Sequence, residues 1–489
     1  MRFALYAGLN ILFWLLLAVG YAVGGQADPR ILYLVALFAL CSSAVIDLDG
    51  LNGRYSFLAI FLVLYFVYFG VQDVSSLFDG SYGGGSQEVL SKTEALILVG
   101  GMMLVLGFRV AVKFRNPPGK TLPAADWPLR SILVVGTAMW LIGTAATYYW
   151  YFFIVTDKTL AGTKAISSVS QWVVSGLILG QMLVPLSTLL LAYAWRSTRR
   201  GSIFALVAMV VAVQFFLGFV IDIKVMALTG GLLVILTIVL TEGRIPKAWI
   251  AGVAIFIYAA FPVFQAYRAV VTGNVSRVAV LENFSKTLDA VLAAETRTNS
   301  GRERAQTFFE RLSMKSSVQM IVHGTESGIP FQHGYTLTPI ISSFLPRIVW
   351  TDKPDVPVGR MINRAFNVTE QDETYISPSH LGELYWNFGW PGVVLGMAAI
   401  GALSGFISRF NLRERKTVTR LLVMALSVEF VIHGFEGSIA TSYVVWLRTM
   451  AAVGLLHLLF ARKSAATATA TESAPQTWPP EARFTNLLT

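Results

Sequence analysis

An all-α polytopic membrane fold is what this sequence predicts, on three observations. Of its 489 residues, 55% are hydrophobic and only 13% charged, about half the roughly 25% charge of a soluble domain. Apolar runs of about 20 residues, the length that crosses the hydrocarbon layer, recur along most of the chain. The short polar loops between them alternate in charge. In lipid, a segment must satisfy its own backbone hydrogen bonds, so such runs become helices.

Taken in order, the runs give about twelve spans: 3–24, 30–46, 55–72, 93–112, 130–155, 169–195, 202–221, 225–241, 248–267, 391–409, 418–435 and 440–461. The first ends in "AVGGQA", which resembles a signal-peptide cleavage site. Its charged head is one arginine and its core exceeds the roughly 7–15 apolar residues of a signal peptide, so it reads as a transmembrane helix. The loops "KFRNPPGK", "RSTRR", "EGRIPK", "RFNLRERK" and "ARK" all fall on one side, and the positive-inside rule puts that side, with both termini, in the cytoplasm. The expected organisation is nine helices over 1–267, an outer loop over 268–390 with short amphipathic or re-entrant helices, and three helices over 391–463. The Ala/Thr/Pro-rich tail, 464–489, is expected to be disordered.

The net charge of +10 does not point to nucleic acid, because the cations are dispersed among apolar segments. Loop orientation and anionic lipid or phosphate sites remain as its causes. The single cysteine, Cys41, excludes a disulfide framework. The chain has no DxD pair, HExxH, Walker loop or Cys/His metal spacing, so no metal and no other cofactor is expected.

The outer loop holds eleven Lys/Arg and eleven Asp/Glu between 269 and 378, yet "SSFLPRIVWTDKPDVPVGRMINRAFN" gathers Arg347, Lys353, Arg360 and Arg364. Pro357 suits a first helical position, and a helix there would put Arg360 and Arg364 on one face. The preceding "TLTPIISSFL" is too short to span and reads as re-entrant or interfacial. Guanidinium forks match phosphate oxygens, so a pyrophosphate fits this cluster; ion pairing with Asp352 and Asp355 fits it equally. Lys224, in the tight turn "IDIK", opens the next helix, where a cation is unfavourable unless an anion joins it. Asp222 could be that anion. Arg268, closing a span that contains Pro262, either contacts phosphate or snorkels to the interface.

The stretch "SPSHLGELYWNFGWPG" places His380 and Glu383 one helical turn apart just before a span. Either could take a proton from a sugar hydroxyl, with the rings of Tyr385, Trp386 and Trp350 stacking on sugar. The alternative is an interfacial aromatic belt around a hydrogen-bonded glutamate. Glu429 and Arg448 fall at similar depth in the last two spans and are expected to form an ion pair inside the bundle.

Two pieces, "FLPRIVWTDKP" (344–354) and "SPSHLGELYWNFGWPGVVLGMAAIGALSG" (377–405), resemble the bacterial O-antigen polymerase family, the Wzy-type repeat-unit polymerases. The matching positions are Pro346, Arg347, Trp350, Lys353 and Pro354, then Ser377, Pro378, Gly382, Glu383, Tyr385, Asn387, Phe388, Gly389 and Gly392. The resemblance implies a GT-C-like glycosyltransferase of the inner membrane with a periplasmic active site. It would move a growing glycan from undecaprenyl pyrophosphate onto a new lipid-linked repeat unit. Arg347 would hold the pyrophosphate, joined by Arg268, Arg360, Arg364 and Lys224; Glu383, or else His380, would be the base. A chain-length regulator would be a partner. Transfer of a finished glycan by a ligase, and lipid-linked sugar flipping by a transporter, are the alternatives.

Overall fold

The computed structural model describes residues 2–24, 30–47, 56–79, 87–113, 125–155, 169–242, 309–343, 350, 356–370, 375–412, 417–460 and 462–463. Within 248–297 it describes 248, 251–252, 255–256, 260, 263–264, 266–267, 280 and 282–297. The helices are α1 (Arg2–Gly24), α2 (Arg30–Ser42), α3 (Ala44–Asp47), α4 (Ser56–Phe69), α5 (Val71–Asp79) and α6 (Gln87–Lys113). Then come α7 (Leu129–Tyr149), prolonged by a π turn over Trp150–Ile154, α8 (Gln171–Gln181), α9 (Leu183–Thr198), α10 (Gly201–Ile221) and α11 (Lys224–Glu242). The outer segment holds α12 (Phe284–Arg297), α13 (Lys315–Glu326), α14 (Thr338–Ser342) and α15 (Val358–Phe366). The chain closes with α16 (Ser379–Leu412), α17 (Val418–Glu436) and α18 (Ile439–Phe460).

Among the described residues, seven helical segments are long and apolar enough to cross a membrane: Ser91–Lys113, Leu129–Ile154, Trp172–Thr198, Gly201–Ile221, Ser379–Arg409, Val418–Glu436 and Ile439–Phe460. Four shorter apolar helices accompany them, Ala4–Val19, Arg30–Ser42, Phe57–Phe69 and Met226–Glu242. The protein is an all-α, multi-pass membrane protein. The expected span at 248–267 lies largely outside the described residues. A two-residue antiparallel pairing, Ala125–Asp126 with Arg462–Lys463, joins the two segments that flank α7 and α18.

The bundle is built around α6 and α16, which pack along most of their lengths. Glycine makes this approach possible. A Cβ on Gly107 would land on the backbone carbonyl of Ala398, and one on Gly401 would land on that of Leu104. With no lipid-excluding hydrophobic drive between spans, close backbone contact of this kind supplies the packing energy. Around the seam, Leu34, Leu58, Tyr65, Leu96 and Leu422 are completely enclosed.

Contacts fix which ends of the helices lie together. At one end, Arg196 and Arg199 both pair with Glu242, Tyr193 and Leu240 lie beside Thr417 and Arg420, and Arg409 donates to the Ala111 carbonyl at 3.1 Å. Thr417 caps α17 there by accepting from the Arg420 amide, satisfying an otherwise orphaned donor. The opposite end carries the outer segment, and it holds the site.

Two boundaries differ from expectation. The span expected to begin at 391 belongs to a helix that starts at Ser379 and breaks at Gly389, which takes φ 63, ψ −147 just ahead of Pro391. Only glycine occupies that region readily. Pro357 is the cap of α15 and not its first helical residue, and Asn367 ends the helix in the left-handed conformation that asparagine tolerates.

Candidate functional site

The head of α16, from Ser379 to Phe388, organises this end of the molecule. Glu383 is fully buried. Its Oε1 accepts from the Thr336 hydroxyl at 2.7 Å, and its Oε2 accepts from the backbone amide of Ile439 at 2.5 Å. Because Ile439 opens α18, the carboxylate also lies where the helix dipole favours negative charge. One turn on, Asn387 donates to Thr336 Oγ1 at 2.7 Å and to the Glu383 carbonyl at 2.8 Å. Its Oδ1 accepts from the Gly334 amide at 2.9 Å. The amides of Gln332 and His333 reach the carbonyls of Trp386 and Asn387. Thr336, Glu383 and Asn387 thus knit three separate stretches of chain together, and in this conformation both Glu383 oxygens are engaged by protein donors.

His380 is equally enclosed. It lies against Gly434 with the rings of Phe430, Phe435 and Tyr443 at 6.3–6.5 Å. Neither of its ring nitrogens has a hydrogen-bond partner among the described residues. Trp386 is fully buried too, edge-on to Phe366 at 5.5 Å, and Tyr385 is buried beside Phe331. Those two rings are core packing, with no face open to a sugar in this conformation; Trp350 is 40% exposed.

Of the expected cations, Arg360 and Arg364 are in view. They lie one turn apart on α15, Arg360 half-buried and Arg364 exposed, as helical spacing required. The opposite stripe of α15 seats it: Val358, Gly359, Ile362 and Asn363 are buried, with Gly359 flat against the Tyr375 ring. Arg268, Arg347 and Lys353 lie outside the described residues, as does Trp350's neighbour Asp352. Lys224 opens α11, but its side chain is not among those described. The expected Glu429–Arg448 ion pair is not formed. Arg448 is exposed, because the buried stripe of α18 runs through Ser442, Thr449 and Val453, about 100° away around the helix. Glu429 instead approaches His433 on its own helix, at 4.0 Å.

Sequence reasoning missed two polar centres. In the first, Lys315 of α13 is buried with Nζ 2.6 Å from Asp73 and 2.8 Å from Glu94, and it lies 4.4 Å above the Tyr33 ring. Buried Arg30 meets the other oxygen of Asp73 at 3.6 Å. The partners are 242 and 221 residues from Lys315, so no local pattern could signal them. In the second, Tyr68 donates to Glu436 Oε1 at 2.9 Å, while Ser377 donates to the Glu436 carbonyl at 2.5 Å.

An apolar cleft of about 430 Å³ lies among Phe215, Phe219, Phe256, Phe264 and Phe284, with no titratable side chain among its described lining residues. No cluster of three or more metal-ligating side chains occurs among the described residues.

Fold and site together define a class: a multi-pass helical membrane protein with a polar, buried network at one end of the bundle. No family model, curated protein or solved structure matches the chain.

Proposed function

We propose that the protein is a metal-independent membrane glycosyltransferase that polymerises undecaprenyl-pyrophosphate-linked oligosaccharide repeat units into a surface polysaccharide. In this reading it is GT-C-like, with twelve spans. Both termini are cytoplasmic, and the active site faces the periplasm from the bacterial inner membrane. The cation cluster binds the pyrophosphate that leaves as the growing chain passes to the incoming repeat. Cations fixed where charge develops are worth several kcal/mol, roughly, in a site that excludes water.

One observation carries the reading. Residues on either side of 344–354, the first stretch of resemblance, pack on the head of α16, which bears the second. Upstream, Thr336 holds Glu383 and Asn387; downstream, Phe366 of α15 packs on Trp386. The two stretches are 23 residues apart in sequence, counted from 354 to 377, and their flanks share one platform.

The test is reconstitution of the purified protein with a polyprenyl-pyrophosphate-linked oligosaccharide. A ladder of lengthened glycans that survives chelator is expected. Arg360→Ala with Arg364→Ala should lower its rate on the order of 10²-fold. A single capped product would replace this reading with a ligase, and lipid translocation without a new glycosidic bond would replace it with a transporter. An undiminished ladder from the double variant would remove these arginines from the site.

A further inference from the structure

Transfer to a sugar hydroxyl is assisted by a base that the hydroxyl can reach, and His380 and Glu383 are both enclosed. Glu383 has its two oxygens tied to Thr336 and Ile439 and no exposed surface. Three residues before Ile439, on the same turn, stands a second carboxylate in a different setting. Glu436 ends α17, is half-buried, and has Oε1 oriented by the Tyr68 hydroxyl at 2.9 Å. The Tyr68 ring is held in turn, stacked on Phe435 at 5.0 Å. The Glu436 carbonyl accepts from Ser377, two residues before α16 begins.

The chain just before α16, residues 376–377, links the end of α17 to the helix that carries the cations. Ser377 touches Glu436, and its neighbour Ile376 donates from its amide to the Gly359 carbonyl at 3.2 Å; Arg360 is the next residue of α15. The stretch Ile376–Ser377 therefore contacts both the start of α15, which carries the partly exposed Arg360, and the end of α17, which carries the partly exposed Glu436. A donor pyrophosphate and an acceptor hydroxyl need groups of those two signs.

We propose that Glu436, oriented by Tyr68, is the general base of the transferase, and that Glu383 is a positioning residue which holds the α17–α18 turn carrying it. This rests on the polymerase reading above. In the step, the acceptor hydroxyl oxygen bonds to the anomeric carbon of the lipid-linked chain. The bond from that carbon to the pyrophosphate oxygen breaks, and the electron pair leaves with the pyrophosphate. The hydroxyl proton passes to the Glu436 carboxylate and from there to solvent.

The experiment compares Glu436→Gln, Glu383→Gln and Tyr68→Phe in the reconstituted ladder assay, with kcat, KM and melting temperature measured on each. Glu436→Gln should melt like wild type, keep KM within about threefold, and lose on the order of 10²–10⁴ in kcat, the usual worth of a base. Tyr68→Phe should lose several-fold in kcat alone. Glu383→Gln should lower the melting temperature and retain measurable kcat in the fraction that stays folded. A normal ladder from Glu436→Gln, or a Glu383→Gln protein that melts normally and is inactive, overturns the assignment while leaving the polymerase reading intact. Absence of any ladder from wild type overturns the polymerase reading and the assignment with it.

Discussion

Lys315 shows what a single residue does in this structure. Two carboxylates, Asp73 and Glu94, share its ammonium group, Arg30 balances the charge, and Arg30, Asp73 and Lys315 are all nearly closed to solvent. A buried ion network adds little net stability over apolar packing, but removing one partner strands the others. Lys315→Ala should therefore cost about 3–5 kcal/mol, read as a lowered melting temperature in detergent. Adding Glu94→Gln to it restores neutrality and should recover part of that loss. If Lys315→Ala melts like wild type, the network does not anchor the outer segment. Glu383 makes the complementary point. Its helical spacing to His380 was legible in sequence, whereas its hydrogen bonds to Thr336 and Ile439 come from stretches 47 and 56 residues away. A carboxylate's role depends on which donors surround it, and those donors come from elsewhere in the chain.

Among elements, α6 and α16 carry the structure. Their apolar character marked them as spans. The partner across the seam was not readable, because Gly107 meets Ala398 and Gly401 meets Leu104, residues nearly three hundred positions apart that come together only in the folded bundle. Overpacking in a core typically costs about 1–3 kcal/mol. Here the obstacle is backbone, which cannot rotate aside, so Gly107→Leu and Gly401→Leu should each lose most of the folded, monodisperse protein on size exclusion. Gly8→Leu, whose added Cβ meets nothing within 4 Å, is the control and should behave as wild type. The outer helix α15 was legible for a different reason. Its Arg360 and Arg364 repeat at i, i+4 opposite Ile362 and Asn363, and local spacing alone sets that arrangement.

At the scale of the molecule, the bundle has two chemically different ends. Arg196, Arg199, Arg409 and Arg420 gather at one, and the outer segment with Glu383, Glu436 and Lys315 occupies the other. The proposed topology, from the positive-inside rule, puts the arginine end in the cytoplasm. Single cysteines test this at two exposed serines, Ser197 at the arginine end and Ser327 at the end of α13, in a protein whose own Cys41 is buried. A membrane-impermeant thiol reagent added to intact cells with a permeable outer membrane should label Ser327→Cys and spare Ser197→Cys. The reverse pattern would invert the topology and move the proposed active site to the cytoplasm.

Sequence alone determined the all-helical membrane class, the approximate places of most spans and the amphipathic helix with its paired arginines. Each of these follows from composition or from repeats within one or two helical turns. Tertiary structure decided which carboxylates are enclosed and which are reachable, and where α16 begins and breaks. It also decided which charges neutralise one another. Those outcomes depend on groups hundreds of residues apart meeting in a low-dielectric interior, where an unpaired polar atom is costly and every partner must be supplied by the fold.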